Sequence, residues 1–407
     1  MSEVIGVAFL MTEVPDLSGG GGAERFFYDF FKRNNLSDGK IKIHFFTDNA
    51  SPLEKTCYLT NTDPNLHVFK LYRNKFLKRV TEKIAFLRPV SNFVRELITF
   101  IPLYLTFKKK NIKMLHIPLY EYKDYRLIWF FDKFAFLGRQ KISLNIVDCR
   151  IPYNYYSEKH VDYYSSKINY GRLFENIRLD GIITWYELFR EFVTKNKVIR
   201  DYGFIYSVRS RYSIVDVKSS FDKKEDLMIF SGRLDDQKDP MFFLKAIAKV
   251  VREKKEGNFR FKFCGKGPLE KDLNDFIHRN NLQDKVEIGF HSKMKEVVER
   301  SKCYVSTQLF ENFPSMGMAE AMACGNAVIA KNVGQTSLFV KDNANGFLVS
   351  ENDTNDLAEK LANYIALPEE KKQDLGKESI RLIEEVHNFM NFRDQFEEYT
   401  QKVLEQS

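Results

Sequence analysis

Short apolar runs separated by helix-length stretches recur along this chain, and the series starts twice. The first series runs through residues 4–11, 41–47, 113–117, 142–147 and 181–184. Strands of this length that alternate with helices cannot pair through tight hairpins. They need crossover connections, so the pattern predicts a parallel sheet covered by helices. The second series restarts at DLMIFSGRLDDQKDP, continues through a helix over 241–255, a strand and turn at FRFKFCGKGP, a strand over 286–290, a helix over 294–301 and a strand over 303–307. Between 205 and 226 periodicity fades and the composition turns polar, which reads as a linker. A chain of 407 residues is long enough for two cores. The expectation is α/β: two Rossmann-like, doubly wound domains at 1–210 and 211–385, then a closing helix at 386–407. Two such domains facing one another would frame a central cleft for a ligand.

Five cysteines are odd in number and no close pair has metal-ligand spacing, so neither a disulfide framework nor a cysteine metal site is expected, and a reducing cytoplasm is the natural home. The first apolar run follows Glu3 with no basic region before it and reads as a strand, not a signal peptide. Charge is concentrated: residues 66–115 hold twelve Lys or Arg against Glu82 and Glu96, while the whole chain carries only +8. Within this segment the uncharged run 97–107 is too short for a bilayer span of roughly 20 residues. Two readings remain. In one, an interfacial helix sets Arg79, Lys83, Arg88, Arg95 and Lys108 to Lys110 against anionic headgroups while Phe86, Phe93, Phe100 and Phe107 enter the acyl boundary. In the other, ordinary core helices carry snorkelling basic side chains. Nucleic-acid binding is disfavoured, because the basic residues are interleaved with aliphatic runs and no recognition motif is present.

The stretch LFENFPSMGMAEAMACG carries the clearest chemistry. Glu311 precedes a helix whose first turn suits Pro314, and Glu320 lies within it. Amides of Ser315, Met316 and Gly317 at that helix start would face an anion, while the flanking carboxylates accept hydrogen bonds from polyol hydroxyls. That combination suits a sugar nucleotide. In SGRLDDQKDP, Arg233 follows a strand and Lys238 comes five positions later; a guanidinium fork and a mobile ammonium can neutralise a departing diphosphate without a metal. Gly19 to Gly22 precede another helix start, allowing close backbone approach, but no Gly-Lys-Ser/Thr follows, so this is no Walker loop.

These motifs resemble the family-4 retaining glycosyltransferases of GT-B fold, and the resemblance extends over nearly the whole chain. It implies that Glu320 binds the ribose and Glu311 the donor sugar. The two are separated by eight residues here where the family has seven, so the role transfers more firmly to Glu320 than to Glu311. Arg233 and Lys238 match the diphosphate ligands. Gly265 and Gly267 match a glycine turn lining the nucleotide, and Phe290 falls near the base. Gly21 or Gly22 would contact the donor phosphate or frame the acceptor. Lys266 and His291 are given no catalytic role. His116 is the candidate for the histidine that many relatives place opposite the donor sugar, although that residue often lies where this chain has Ile117 and Pro118. The resemblance implies metal-independent transfer with retention from a nucleotide-diphosphate sugar, with no other cofactor. The acceptor hydroxyl would attack from the leaving-group side, in surface glycan or glycolipid assembly at the inner face of a membrane. A GT-B nucleotide-sugar epimerase and a noncatalytic nucleotide-sugar or membrane-binding subunit are the alternatives.

Overall fold

The computed structural model describes residues 4–11, 22–47, 64–68, 88–118, 125–134, 140–146, 176–196, 203–214, 221–291, 293–313 and 315–406. The chain forms two compact units, one of Met1–Val208 with Arg393–Ser407, the other of Arg209–Phe392.

The first unit is built on seven strands, β1 (Ile5–Met11), β2 (Ile41–Thr47), β3 (Leu66–Val68), β4 (Ile112–Ile117), β5 (Lys141–Ile146), β6 (Gly181–Thr184) and β7 (Ile205–Ser207), all parallel in the order β3-β2-β1-β4-β5-β6-β7. Residues Val7 to Leu10 and all of β6 are buried on both faces, as a helix-covered parallel sheet requires. Helix α1 (Gly22–Leu36) places Phe26, Phe27, Phe30 and Phe31 against it, all nearly or fully buried. The fading periodicity at 205 does not mark a linker there. Ile205–Ser207 is a half-buried strand whose three residues pair with β6, and so short an edge strand needs no apolar run.

Helix α2 (Arg88–Lys109) contains the run expected at 97–107 and passes through Pro102 unbroken. Proline cannot donate to the carbonyl one turn earlier, and the Thr106 hydroxyl donates to the Pro102 carbonyl at 2.8 Å. Phe100 and Phe107 turn inward, 3% and 0% exposed, and stack with Phe130 and Phe131 of α3 (Tyr125–Lys133). The expectation that these two phenylalanines enter a lipid layer is therefore wrong: both rings are enclosed in the first unit's core and present no surface to a bilayer. Phe86, Arg79 and Lys83 lie outside the described residues. Helix α4 (Glu187–Asn196) follows β6.

The second unit follows the same plan with β8 (Glu225–Ser231), α5 (Pro240–Arg252), β9 (Arg260–Cys264), α6 (Glu270–Arg279), β10 (Val286–Gly289), α7 (Met294–Arg300), β11 (Ser301–Ser306), α8 (Met316–Ala323), β12 (Ala327–Lys331), β13 (Gly346–Val349), α9 (Thr354–Ala366) and α10 (Glu369–Glu385). Its six strands are parallel in the order β10-β9-β8-β11-β12-β13. The order reverses between β8 and β11, and crevices at such a reversal, beyond the strands' carboxyl ends, are where open α/β sheets take ligands. The last helix, α11 (Phe389–Glu405), starts in this unit, and from Arg393 onward belongs to the first. There Phe396 packs on Phe9 and Phe30 at ring separations of 5.6 and 5.2 Å, and Glu397 accepts the Lys40 amide at 2.8 Å.

Candidate active site

Five loops of the second unit leave the carboxyl ends of β8, β9, β10, β11 and β12, and they carry Arg233 and Lys238, Gly265 and Gly267, Phe290, the segment from Glu311 to Glu320, and Gly334 and Gln335. The first two loops are locked together by backbone. Gly232 donates to the Cys264 carbonyl at 3.1 Å, Leu234 to that of Lys266 at 3.0 Å, and Leu269 back to that of Leu234 at 3.0 Å. Side chains would block this approach: a Cβ on Gly265 would lie 1.8 Å from the Gly232 oxygen, and one on Gly267 2.2 Å from that of Leu234.

Asp235, 2% exposed and not anticipated from the sequence, holds the loop that carries both cations. Its carboxylate accepts the Lys238 amide at 3.0 Å and sits 3.3 Å from Arg233 Nε. The Lys238 ammonium donates to Gln308 at 2.7 Å, while the Arg233 side chain is about half exposed. The next residue, Asp239, has φ +46 and caps α5 by accepting the Phe242 amide. Its other oxygen pairs at 2.7 Å with Lys331, whose side chain is 1% exposed and whose ammonium lies 3.8 Å from the centre of the Phe242 ring. Thr307 donates to the carbonyls of Lys238 and Asp239 at 2.9 and 2.8 Å, tying this loop to the end of β11. This cap was missed in the sequence, where Asp before Pro at a helix start is the signal that could have found it; its buried lysine partner, 92 residues away, leaves no such signal.

Between the two glutamates the chain turns into α8. Ser315 becomes the N-cap, its hydroxyl accepting from the Met318 amide at 3.4 Å. Its own amide donates to the Asn312 carbonyl at 2.7 Å, so the expectation that this amide faces an anion fails. Met316 and Gly317 open the helix, where amides have no intrahelical acceptor. Pro314 lies outside the described residues. Asn312, buried, fixes the loop through bonds to Ser306, the Lys331 carbonyl and Thr336.

Glu311 bends back onto the turn after β12. Its carboxylate accepts the Phe313 amide at 3.0 Å and the Gln335 amide at 2.8 and 3.0 Å. Gly334 adopts φ +54, and a Cβ there would lie 2.2 Å from the Glu311 carboxylate, so only glycine admits this contact. Burial outweighs the amides and raises the carboxyl pKa to about 7. Glu320 is half-buried on α8. Phe290 is 53% exposed, with the Lys266 ammonium 4.9 Å from its ring centre; His291 beside it lies 3.8 Å from Glu287.

Two expectations fall in the first unit. Gly22 opens α1, and Gly21 lies outside the described residues. His116 is fully buried on β4, with Phe9 and Phe396 rings 4.9 and 5.2 Å away. Its Nδ1 meets the Ser143 hydroxyl at 2.8 Å, and that hydroxyl bonds Tyr399 of α11. Desolvation lowers its pKa to about 3, keeping it neutral. An imidazole enclosed by core rings cannot reach a donor sugar, so the candidate role for His116 is withdrawn. Among the described residues no cluster of His, Cys, Asp and Glu could hold a metal ion.

Residues 214–381, nearly the whole second unit, match the family model described as glycosyl transferases group 1. An uncharacterised glycosyltransferase of Methanocaldococcus jannaschii is 30% identical over 46% of this chain and 58% of its own length. A Campylobacter jejuni enzyme is 31% identical over 36% of this chain and 40% of its own length; it is named GalNAc-alpha-(1->4)-GalNAc-alpha-(1->3)-diNAcBac-PP-undecaprenol alpha-1,4-N-acetyl-D-galactosaminyltransferase. The chain thus spans about half the length of these relatives. The two-sheet fold matches Anabaena HepE, solved with UDP and glucose, at a TM-score of 0.65 and 14% identity over 98% of this chain and 99% of that one.

Proposed function

We propose that this protein transfers a sugar, with retention and without a metal, from a nucleoside-diphosphate sugar to a hydroxyl of a glycan or lipid-linked acceptor at the inner face of a membrane. One observation carries the reading: two cations, a glycine turn and two glutamates converge on the carboxyl ends of neighbouring strands, in a segment that matches group 1 glycosyl transferases. The undecaprenol-linked acceptor in the Campylobacter enzyme's name supports the lipid-linked class. Arg233 and Lys238 stabilise charge on the departing diphosphate, aided by the first amides of α8. Glu320 accepts from the ribose, and Glu311 meets the sugar through whatever bonding capacity its amide partners leave. Phe290 offers a face to the base. The acceptor hydroxyl then attacks on the leaving-group side, its proton passing to a phosphate oxygen as the new glycosidic bond forms. A panel of nucleotide sugars, assayed for thermal stabilisation and for release of nucleoside diphosphate in EDTA, tests this reading. Stabilisation and slow hydrolysis with one donor are expected; no response across the panel would remove it.

A further inference from the structure

Helix α2 is apolar on two opposite faces, and only one of them is used. Phe100, Leu103 and Phe107 belong to the first unit's core. Val94, Ile98, Ile101 and Leu105 are 41%, 42%, 48% and 60% exposed. Their spacings of four, three and four place them in one row on the far side of the helix, about 16 Å long at 1.5 Å per residue. Singly exposed aliphatic residues are ordinary, but four in register make a continuous strip. Phe93, 45% exposed, lies off this row, its ring 5.2 Å from that of Phe130. At the row's end Lys108, Lys109 and Lys110 are all exposed. The helix carries a single acid, Glu96, and that residue is buried at 5% exposure, so the strip's face bears no negative charge. No helix among the described residues is long and apolar enough to cross a membrane.

We propose that this outer face of α2 is a docking surface for anionic lipid, lying in the plane of the interface with its aliphatic row entering the acyl boundary. Charge decides between occupants: a protein groove would satisfy the row alone, whereas a row ending in three exposed lysines, on a helix whose single acid is buried, complements a negatively charged layer. The surface differs from the one read from the sequence, since it uses the row opposite Phe100 and Phe107. It does not depend on the proposed sugar transfer.

The test sediments the full-length protein with vesicles of phosphatidylcholine, alone or mixed with phosphatidylglycerol. Binding is expected to the mixed vesicles and to weaken as salt rises. The variant Ile98→Gln/Ile101→Gln/Leu105→Gln, and separately Lys108→Gln/Lys109→Gln/Lys110→Gln, should each bind at least about 10-fold more weakly, because insertion and charge contribute together. Every replaced side chain is exposed, so melting temperatures should match the parent. Absence of sedimentation, equal binding to both vesicle types, or undiminished binding by the aliphatic variant overturns the proposal. So does a lipid-free dimer that the aliphatic variant dissolves, which would assign the strip to a second copy.

Discussion

Glu311 holds its proton to near neutrality because burial costs the carboxylate more than the Phe313 and Gln335 amides return. The unfolded pKa is 4.5 and the folded one about 7, so the folded chain binds the extra proton between them. Stability from the neutral form is therefore full below the lower value and is lost as pH rises through the upper one. The loss is on the order of 3 kcal/mol. Glu311→Gln should flatten this slope: urea unfolding at pH 5 and pH 8 should differ less than in the parent, and identical slopes would show that Glu311 titrates as an ordinary acid. At the neighbouring loop, Arg233→Lys and Lys238→Ala should each lower turnover by at least about 100-fold, the scale of removing one preorganised donor. Near-normal turnover in both would take the diphosphate away from these cations. His116 teaches a different lesson. A histidine at a strand end looks the same in sequence whether it faces a ligand or, as here, Ser143 and a core of aromatic rings contributed by β1 and by α11, 280 residues further on.

At the level of elements, the buried strands were legible because a parallel sheet covered on both faces demands runs such as Val7 to Leu10. The edge strand Ile205–Ser207 was not, since half-buried residues leave no apolar run. Nor was the inward side of α2, because with apolar residues on two faces the sequence does not say which of them meets the core. The cation loop shows how an element's end depends on a distant one. Asp239 keeps its left-handed backbone at the start of α5 while its carboxylate binds Lys331 at the end of β12. Lys331→Met should cost about 3 kcal/mol, at the low end for breaking a buried pair because a quarter of the Asp239 side chain meets solvent. It should also raise the donor KM, since Lys238 precedes Asp239 directly. Asp239→Asn with Lys331→Met should recover part of the stability. A single lysine variant as stable as the parent would mean that the pair does not hold the loop.

Across the molecule the donor candidates are unevenly shared: apart from the glycines at the start of α1, all that stand are in the second unit, at the carboxyl ends of one sheet. This distribution makes nucleotide binding a local event with a regional signature. Bare nucleoside diphosphate, added in EDTA, should slow amide exchange in the loops at 232–238, 265–268 and 315–320 and leave β1 and β4 unchanged, as ligand binding stabilises what it touches. Glu320→Ala should weaken that protection, because the ribose loses its acceptor, whereas Glu311→Ala should leave it intact and act on turnover of the whole donor. Protection in the first turn of α1 would bring the glycine run into the donor site. Protection that appears only when magnesium is added would assign the diphosphate charge to a metal instead of to Arg233 and Lys238, and unchanged exchange at the second sheet's strand ends would remove the donor site from this unit altogether.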